Sequence, residues 1–413
     1  MSRAFRLLVL SIFFLSAGCS SLAPLLVTPT PAPVEQATAT PQIFSTTTAL
    51  PDSQARILRV WLPARFDPNA ETEAAALLKQ RFTEFEAQHP GLEIEIRIKA
   101  ETGETDLLNS LSITSAAAPT ALPDLVALPR PALESAALKG FLHPMDGLST
   151  ALENVDWYGY ARDMGHIQNI GYGLPFAGDA MALACHSGIE NVENWQAVFR
   201  AKNTLAFAAG DPQGLFGLLL YISAGGELQD AGGLPSFDEE KLTQVLTWAA
   251  DGVFVGSILP SLKNVVTSED VKKTYDAGSV DMAVTWASIP PADGTLAPIP
   301  GLGDSMYAFG TGWVWSLAGS NPENQQLAIE LAEYLTAVDF IKEWTLESGY
   351  LPVRPSSVVE TDSVVASIAE SAYMIPSDEE LQVLGPLMQE ALVRVLNGEQ
   401  PEAVAGSVIE KLK

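Results

Sequence analysis

The stretch that decides the fold is residues 57–99, which read ILRVWLPARFDPNAETEAAALLKQRFTEFEAQHPGLEIEIRIK. β-Branched and aromatic residues at its start predict a strand over 57–62. Apolar residues at three- and four-residue spacing then predict a helix at about 69–88, which a His-Pro-Gly sequence ends. After this stop, apolar and charged residues alternate over 92–99, which indicates a strand with one solvated face.

Segments further along the chain extend this alternation. Residues 125–128, Leu-Val-Ala-Leu, predict a short and wholly apolar strand, and a helix around 131–138 follows it. Strands that alternate with helices are typical of α/β structures with a largely parallel sheet. Long extended passages at 172–179 and 306–317 would suit strands that cross between two lobes. We also predict strands at 205–207 and 280–286 and helices at 214–224, after Asp238 and from Pro322, where Asn321 is the N-cap.

Composition and charge narrow the class of protein. The chain has 413 residues, 47% of them hydrophobic and 18% charged, which excludes a disordered chain and suggests two or three domains or one large two-lobed body. Acidic residues outnumber basic ones by 50 to 23, for a formal net charge of −27. A field of that sign repels phosphate backbones and anionic lipid. We therefore expect no nucleic-acid partner and favour a soluble, secreted monomer.

Metal, cofactor and catalytic signatures are missing from the sequence. Cys19 and Cys185 are too few for a four-cysteine zinc site or a disulfide-stapled scaffold, and the four histidines form no metal-binding pattern. The sequence also lacks the phosphate-binding loop, the dinucleotide fingerprint, the hydrolase nucleophile elbow and the zinc-protease motif. We expect no metal, no cofactor and no catalytic residue.

The N-terminus has the features of a bacterial lipoprotein leader. A positively charged start and an apolar run at 7–15 end in Leu-Ser-Ala-Gly-Cys at 15–19, and the run is too short to span a bilayer comfortably. We predict a signal peptide over 1–18, lipidation of Cys19, and a Pro/Thr-rich tether over 19–52 that holds the body away from the membrane. The alternative is an ordinary signal peptide followed by a free cysteine.

Aromatic and basic residues near strand ends and turns are candidates for ligand contact. Flat rings at such positions either pack in the core or cover the apolar faces of a sugar ring; the tryptophans concerned are Trp61, Trp286, Trp313 and Trp315. Arginines in or beside proline-containing turns are either surface charges or bidentate donors to a ligand; they are Arg65, Arg130 and Arg354.

Several segments together carry a resemblance to a known family. In chain order they are ILRVWLP, FEAQHPGLEIEI, PDLVALPRPALESAALKGFLHPMDGL, YGLPFAGDAMALACH, LLYISAGGEL, FDEEKLTQVLTWAADGV, YDAGSVDMAVTW, FGTGWVWSLAGSNPENQQLAIELAEYL and ESGYLPVRPS. From about residue 56 to the C-terminus, the sequence resembles the extracellular solute-binding proteins of ABC importers, in the large class that includes the sugar and maltose binders.

The resemblance implies a fold and a set of lobes. The fold is α/β and of the type II periplasmic-binding-protein kind, with two α/β lobes joined by hinge strands and a ligand cleft between them. We expect the N-terminal lobe to comprise 53–177 plus 312–345, and the C-terminal lobe to comprise 178–311 plus 346–413.

The resemblance also implies ligand-binding positions. They are Arg65, Phe66, Arg130, Asp179, Gln213, Phe216, Trp286, Thr311, Trp313, Tyr350 and Arg354. The sequence departs from the sugar-binder pattern at Cys185-His186, where Tyr-Tyr-Asn or similar is usual. The three arginines leave room for an anionic ligand, such as a uronic acid or a phosphorylated polyol.

We therefore expect a lipid-anchored, extracytoplasmic substrate-binding component of an ABC importer that has no catalytic activity. It would capture a small solute, a carbohydrate by the resemblance, and deliver it to the permease subunits; it would contact the membrane only through its lipid. Two alternatives stay open at this point. One is a surface lipoprotein hydrolase, and the other is a binding-fold protein that serves as a sensor's ligand module or as an adhesin.

Overall fold

The computed structural model describes residues 56–189, 192–303, 305–319, 321–359 and 363–413. The predicted signal peptide, the lipidation site at Cys19 and the tether lie outside these residues. All the elements below belong to one compact unit, Ser53–Lys413.

The strands of the described residues are β1 (Arg56–Pro63), β2 (Leu92–Lys99), β3 (Leu125–Pro129), β4 (His166–Ile167), β5 (Ile170–Gly171), β6 (Gly173–Cys185), β7 (Leu205–Ala206), β8 (Met282–Trp286), β9 (Thr295–Ala297), β10 (Ile299–Pro300), β11 (Met306–Leu317) and β12 (Ala372–Met374).

The α-helices of the same residues are α1 (Glu73–Gln88), α2 (Leu107–Ala117), α3 (Arg130–Leu138), α4 (Gly159–Met164), α5 (Trp195–Ala201), α6 (Leu215–Ser223), α7 (Glu239–Val255), α8 (Ser268–Asp276), α9 (Pro322–Tyr334), α10 (Val338–Ser348), α11 (Ser363–Glu370), α12 (Asp378–Leu396) and α13 (Pro401–Leu412). Short 3₁₀ turns lie at Ala64–Phe66, Pro119–Ala121, Ala151–Glu153, Pro260–Asn264 and Pro355–Ser357.

Hydrogen-bonded strands follow the order β2-β1-β3-β11-β6-β8-β7. β1 is parallel to β2 and to β3, which confirms the parallel sheet predicted for the first part of the chain. The long β11 is antiparallel to β3 and to β6, β6 is antiparallel to β8, and β8 is parallel to β7. β6 and β11 therefore connect the two ends of the sheet.

Buried apolar side chains form two hydrophobic clusters. The first cluster combines β1, β3 and the N-terminal helices with α9 and α10, and it extends to Ala372. The second cluster combines α6, α7 and β8 with α12 and α13. β6 and β11 contribute to both clusters, since Phe176 and Trp315 belong to the first and Leu183 and Phe309 to the second. The extended passage at 306–317 thus runs through both cores, whereas the passage at 172–179 lies in the first, and β6 reaches the second only beyond it.

Capping residues explain where several helices begin. The side chain of Thr72 accepts a hydrogen bond from the backbone N–H of Ala75, so α1 begins at Glu73 rather than at about 69. Asn321 caps α9, as predicted. Asp106 caps α2, a helix that the apolar pattern did not predict.

Two of the four tryptophans singled out above are core residues. Trp61 and Trp315 are buried in the first cluster, and the Trp315 indole stacks on Phe176 with ring centroids 4.5 Å apart. For this pair, packing rather than ligand contact explains the large rings.

Among the described helices, none combines the length and the apolar composition that a membrane crossing requires. In the same part of the chain, no group of three or more His, Cys, Asp or Glu side chains is arranged to hold a metal ion.

Candidate functional site

β6 and β11 pair closely at two glycines. Gly178 and Gly312 are register partners and lie next to the pair formed by Asp179 and Thr311. Gly312 has a φ of +151°, and a Cβ at this position would overlap the carbonyl oxygen of Ala177. Only glycine accepts both this φ value and this close approach to a carbonyl oxygen. The two long strands therefore pair here through backbone that carries no side chain.

A buried tyrosine covers this pairing. A Cβ on Gly178 would overlap the Tyr160 hydroxyl, and one on Gly310 would lie 2.6 Å from an atom of its ring. The Tyr160 hydroxyl has no hydrogen-bond partner within the part of the chain that the structure describes, and burial raises the pKa of this side chain. The ring is therefore neutral and packs directly on the glycines of both strands.

A crevice of about 380 Å³ opens at the same place. Trp286 packs against the second cluster and Tyr350 against the first, so both clusters contribute side chains to its walls. Its volume is in the range of small-molecule sites. The walls are formed by Arg65, Pro129, Asp179, Trp286, Ser288, Ile289, Thr311, Gly312, Trp313 and Tyr350.

Asp179 supplies a carboxylate to the crevice although it is only 8% exposed. Its Oδ1 accepts hydrogen bonds from the backbone N–H groups of Ala180 (2.9 Å) and Ser288 (3.0 Å), and its Oδ2 accepts one from the Ser288 hydroxyl. Burial raises the pKa of Asp179 to about 6, against the opposing effect of these hydrogen bonds and of Arg65. The carboxylate is thus held in a fixed orientation in an environment that disfavours its charge.

Arg65 is the basic side chain among the crevice walls, and it is already paired. Its Nε donates to Glu101 Oε2 at 2.8 Å, and its Nη1 donates to the Tyr350 hydroxyl at 2.9 Å. The hydrogen bond to Glu101 is the main reason why the pKa of Arg65 is raised. The guanidinium also lies 5.2 Å from the centroid of the Trp313 ring, which places a cation beside an aromatic face.

An aromatic wall backs this part of the crevice. Trp313 packs edge-on against Phe66 with centroids 5.1 Å apart, and Phe66 contacts Phe176 at 5.1 Å and Tyr350 at 5.6 Å. Tyr350 stacks on Trp344 at 5.9 Å and an interplanar angle of 8°. Interlocked rings of this kind give a rigid apolar surface that borders the polar groups of Asp179 and Arg65.

The structure brings six of the predicted ligand-binding residues together in the crevice. They are Arg65, Asp179, Trp286, Thr311, Trp313 and Tyr350. Phe66, also predicted, is buried directly behind Trp313 and supports it. Their contact with a ligand stays a prediction.

Two predicted arginines are not among the crevice walls. Arg130 opens α3, and its guanidinium pairs with Glu134 at 3.0 Å. Arg354 is buried; its guanidinium covers the Trp157 ring at 3.7 Å from the centroid, and its Nε donates to the carbonyl of Thr336 at 3.0 Å. Each guanidinium is thus occupied by neighbouring groups of the protein itself.

The remaining two predicted residues lie on or before α6. Phe216 is buried in the second cluster, 5.7 Å from Trp248 between ring centroids, because α6 is apolar on nearly every side. Gln213 is exposed, and its backbone lies close to Gly385 of α12. Both positions were predicted from the resemblance alone, and neither is among the crevice walls.

Four crevice residues were not predicted from the sequence. Gly312 lies in β11 between the predicted Thr311 and Trp313, Pro129 ends β3, and Ser288 and Ile289 follow the end of β8 by a few residues. Positions just beyond the ends of neighbouring strands are where ligand groups converge in α/β folds, and that signal could have found the last three.

Comparisons with known proteins agree with this architecture. The sugar-binding protein MalE from Xanthomonas citri has a TM-score of 0.69 and 16% identity, over 86% of this chain and 96% of that one. The GacH receptor of Streptomyces glaucescens GLA.O, described in complex with acarbose, has a TM-score of 0.64 and 17% identity, over 86% and 97%.

A further solved structure is an ABC transporter solute-binding protein from Thermotoga lettingae TMO bound with α-D-tagatose, with a TM-score of 0.61 and 19% identity, over 86% and 98%. At these identities the likeness shows the fold, which is the periplasmic solute-binding fold that the resemblance implies. No curated protein matches the sequence.

The sequence model of bacterial extracellular solute-binding proteins matches residues 80–369, which is well over half of the 413 residues. That family consists of binding proteins that act outside the cytoplasm, not of enzymes. This chain therefore belongs to the bacterial extracellular solute-binding proteins.

Proposed function

We propose that this protein is the lipid-anchored substrate-binding component of an ABC importer, which captures a small carbohydrate outside the cell and delivers it to the permease. The observation that carries the proposal is the crevice at the β6–β11 pairing, where the buried carboxylate of Asp179 shares the walls with the half-buried rings of Trp286 and Tyr350. Sugar ligands need this combination, since their C–H faces are apolar and their edges are covered with hydroxyl groups.

The polar groups of the crevice would orient the ligand. Asp179 and the Ser288 hydroxyl oxygen, whose proton is donated to Asp179, can accept hydrogen bonds, while the Arg65 guanidinium can donate them. Trp286 and Trp313 would cover the sugar ring faces. Structural neighbours are described in complex with acarbose, α-D-tagatose and ribitol, which supports a polyhydroxylated solute.

We propose that the two hydrophobic clusters are the cores of the two lobes and that the lobes close over the solute. Membership of the clusters supports 53–177 plus 312–345 as one lobe and 178–311 as part of the other. The segment 346–374 packs mainly with the first cluster, which favours its inclusion in that lobe, and 375–413 packs with the second. A ligand that contacts both lobes would shift an equilibrium between open and closed forms, and the permease would bind the closed form.

The membrane anchor would be a lipid on Cys19, followed by the 19–52 tether. Replacement of Cys19 by Ser would abolish lipidation, and the protein would move from the detergent phase to the aqueous phase in a Triton X-114 partition. Wild-type protein that partitions into the aqueous phase would overturn the anchor without affecting the binding proposal.

A ligand screen tests the binding function. Isothermal titration calorimetry would measure binding of neutral mono- and disaccharides, uronic acids and polyols, with Trp286→Ala and Asp179→Asn as crevice variants. Each variant is expected to weaken the best ligand by about tenfold or more, because each removes a stacking face or a charged acceptor.

Two control variants match these substitutions outside the crevice. Phe254→Ala removes an aromatic ring that is 91% exposed on α7, and Asp124→Asn changes a buried carboxylate that accepts a hydrogen bond from the Arg59 backbone N–H at 2.8 Å. Both controls should leave affinity unchanged. If the crevice variants bound the best ligand as tightly as the controls do, the site would be misplaced.

A further inference from the structure

A second cavity adjoins the crevice at Trp313. This second cavity has a volume of about 300 Å³, and it shares two walls with the crevice, Pro129 and Trp313. The Arg65–Glu101 ion pair lies at the same boundary, since Arg65 borders the crevice and Glu101 borders the second cavity. A ligand with two units that reaches across this boundary would contact both cavities.

The charged groups of the second cavity are all acidic. Its walls include Glu101, Asp106 and Asp378 and contain no Lys or Arg. Glu101 is neutralised by Arg65, with a closest approach of 2.5 Å. Asp106 uses Oδ1 to cap α2 through the backbone N–H of Asn109 at 2.8 Å, which leaves Oδ2 available.

Asp378 is a second acid without a partner of opposite charge. It lies in the first turn of α12, is partly exposed, and forms no ion pair within the described residues. Arg130 and Glu134 interact with it electrostatically, but they form an ion pair with each other at 3.0 Å and add no net charge. Asp106 and Asp378 thus give the cavity an excess of two negative charges.

Trp313 is the aromatic residue that borders both cavities. Its side chain is only 7% exposed, and none of the hydrogen bonds among the described residues involves its indole N–H. A donor at the wall of a cavity is available to a ligand or to water. Aromatic surface beside carboxylates is also the environment that binds organic cations.

We propose that the second cavity is a subsite for a positively charged group, so that the solute is a carbohydrate that carries an amino group. This inference rests on the function proposed above and narrows its substrate class. It also argues against an anionic solute, because each of the three arginines that left room for one is already paired with an acid: Arg65 with Glu101, Arg130 with Glu134 and Arg354 with Asp156.

The proposal includes a physical role for the two acids. Asp106 precedes a helix of the first cluster, and Asp378 begins a helix of the second. Like charges on the two sides of a cavity oppose its closure, and an ammonium group between them replaces that repulsion by attraction. The charge would therefore act on closure as well as on binding, and the effect should weaken with salt.

Three probes that share a disaccharide skeleton test the inference by calorimetry. They are the β-1,4-linked disaccharide of glucosamine, its N-acetylated form, and cellobiose. At low salt the first is expected to bind about tenfold or more tightly than the other two, because a charged hydrogen bond is worth about 1.5–3 kcal/mol. The preference should shrink when salt is raised.

Two charge-removing variants test the residues. Asp378→Asn and Asp106→Asn should each reduce the preference for the amino sugar over cellobiose by about tenfold; Asn caps a helix as well as Asp does, so α2 stays capped in Asp106→Asn. Glu379→Gln removes an exposed acid from the same turn of α12 and is the matched control. It should retain the full preference.

The outcomes separate this inference from the proposed function. Equal affinities for the three disaccharides would overturn the basic-group subsite and leave carbohydrate binding intact. Spermidine serves as a cationic probe that is not a sugar: if it bound and no sugar did, with the binding lost in Asp378→Asn, the subsite would stand and the carbohydrate function would fall. A preference that Asp378→Asn and Glu379→Gln reduce equally would also refute the subsite.

Discussion

We predict that Asp179→Asn stabilises the folded protein at neutral pH while it weakens ligand binding. Asp179 is buried, and its pKa is raised from 3.8 to about 6. A raised pKa means that the folded state disfavours the carboxylate relative to the unfolded chain. Asparagine has nearly the same shape, can accept the hydrogen bonds from the backbone N–H groups of Ala180 and Ser288, and is not charged.

The magnitude follows from the shift of about two pH units. Each unit corresponds to about 1.36 kcal/mol, so the ionised Asp179 costs the folded state on the order of 3 kcal/mol. Below pH 4 the carboxyl is protonated in both states, and the cost vanishes. As the pH rises from 4 to 6, the unfolded chain loses the proton first, and stability falls; above pH 6 the full cost is present.

Differential scanning calorimetry of the two proteins from pH 4 to pH 8 measures this difference. For a body of about 360 residues, 3 kcal/mol corresponds to roughly 4 °C in Tm. The Tm of the variant should equal that of wild type near pH 4. The difference should grow between pH 4 and 6, and the variant should keep the higher Tm up to pH 8. Calorimetric titration should show weakened ligand binding in the same variant.

Asp276→Asn provides a control with the opposite sign. The hydrogen bond from Lys272 lowers the pKa of Asp276, so its stabilising effect is present at neutral pH and lost as the pH falls. The variant should have a lower Tm than wild type at pH 7, and the difference in Tm should disappear as the pH falls. A difference between Asp179→Asn and wild type that does not vary with pH, or a strong loss of stability at pH 7, would refute the reasoning.

Three further predictions concern the stability and reactivity of the described residues. Gly312→Ala should lower the free energy of unfolding, measured by urea titration, by about 3 kcal/mol or more, because its Cβ would overlap a backbone carbonyl oxygen. Gly398→Ala, also at positive φ but with open space around it, should lower it by only about 1 kcal/mol. Equal losses in the two variants would contradict this. Trp157→Ala should cost about 3 kcal/mol or more in the same assay without changing ligand affinity, since it removes the ring that covers the buried Arg354 and is not among the crevice walls. The Cys185 thiol is buried and its pKa is raised to about 11, so a maleimide at pH 7.5 should label it only after denaturation; rapid labelling of native protein, seen by mass spectrometry, would count against its burial.

Much of the fold could be predicted because its signals are local. Alternation over 92–99 and the apolar run at 125–128 correspond to β2 and β3, and the Asn321 cap lies where it was predicted. Helix α2 was not predicted, since serine and threonine interrupt its apolar positions; its cap, Asp106, was the available signal. The resemblance to solute-binding proteins then supplied the topology, which local patterns do not contain.

The candidate site was predicted only in part, because proximity in space decides it. Asp179 and Ser288 are 109 positions apart, and Arg65 and Tyr350 are 285 apart, yet each pair is joined by a hydrogen bond. Six of the residues that the resemblance named line one crevice, and their contact with a ligand stays a prediction. The resemblance also named Phe216, whose ring the packing of α6 buries in the second cluster.

The sequence by itself determined the α/β class, the extracytoplasmic family and the excess of acid, since periodicity, motif order and charge are all properties of the linear chain. Only the tertiary structure decided which charges remain free. The arginines suggested an anionic ligand until folding paired Arg65 with Glu101 and Arg354 with Asp156, residues that are distant in sequence. A charge acts through its distance to other charges and its exposure to water, and both are set by folding.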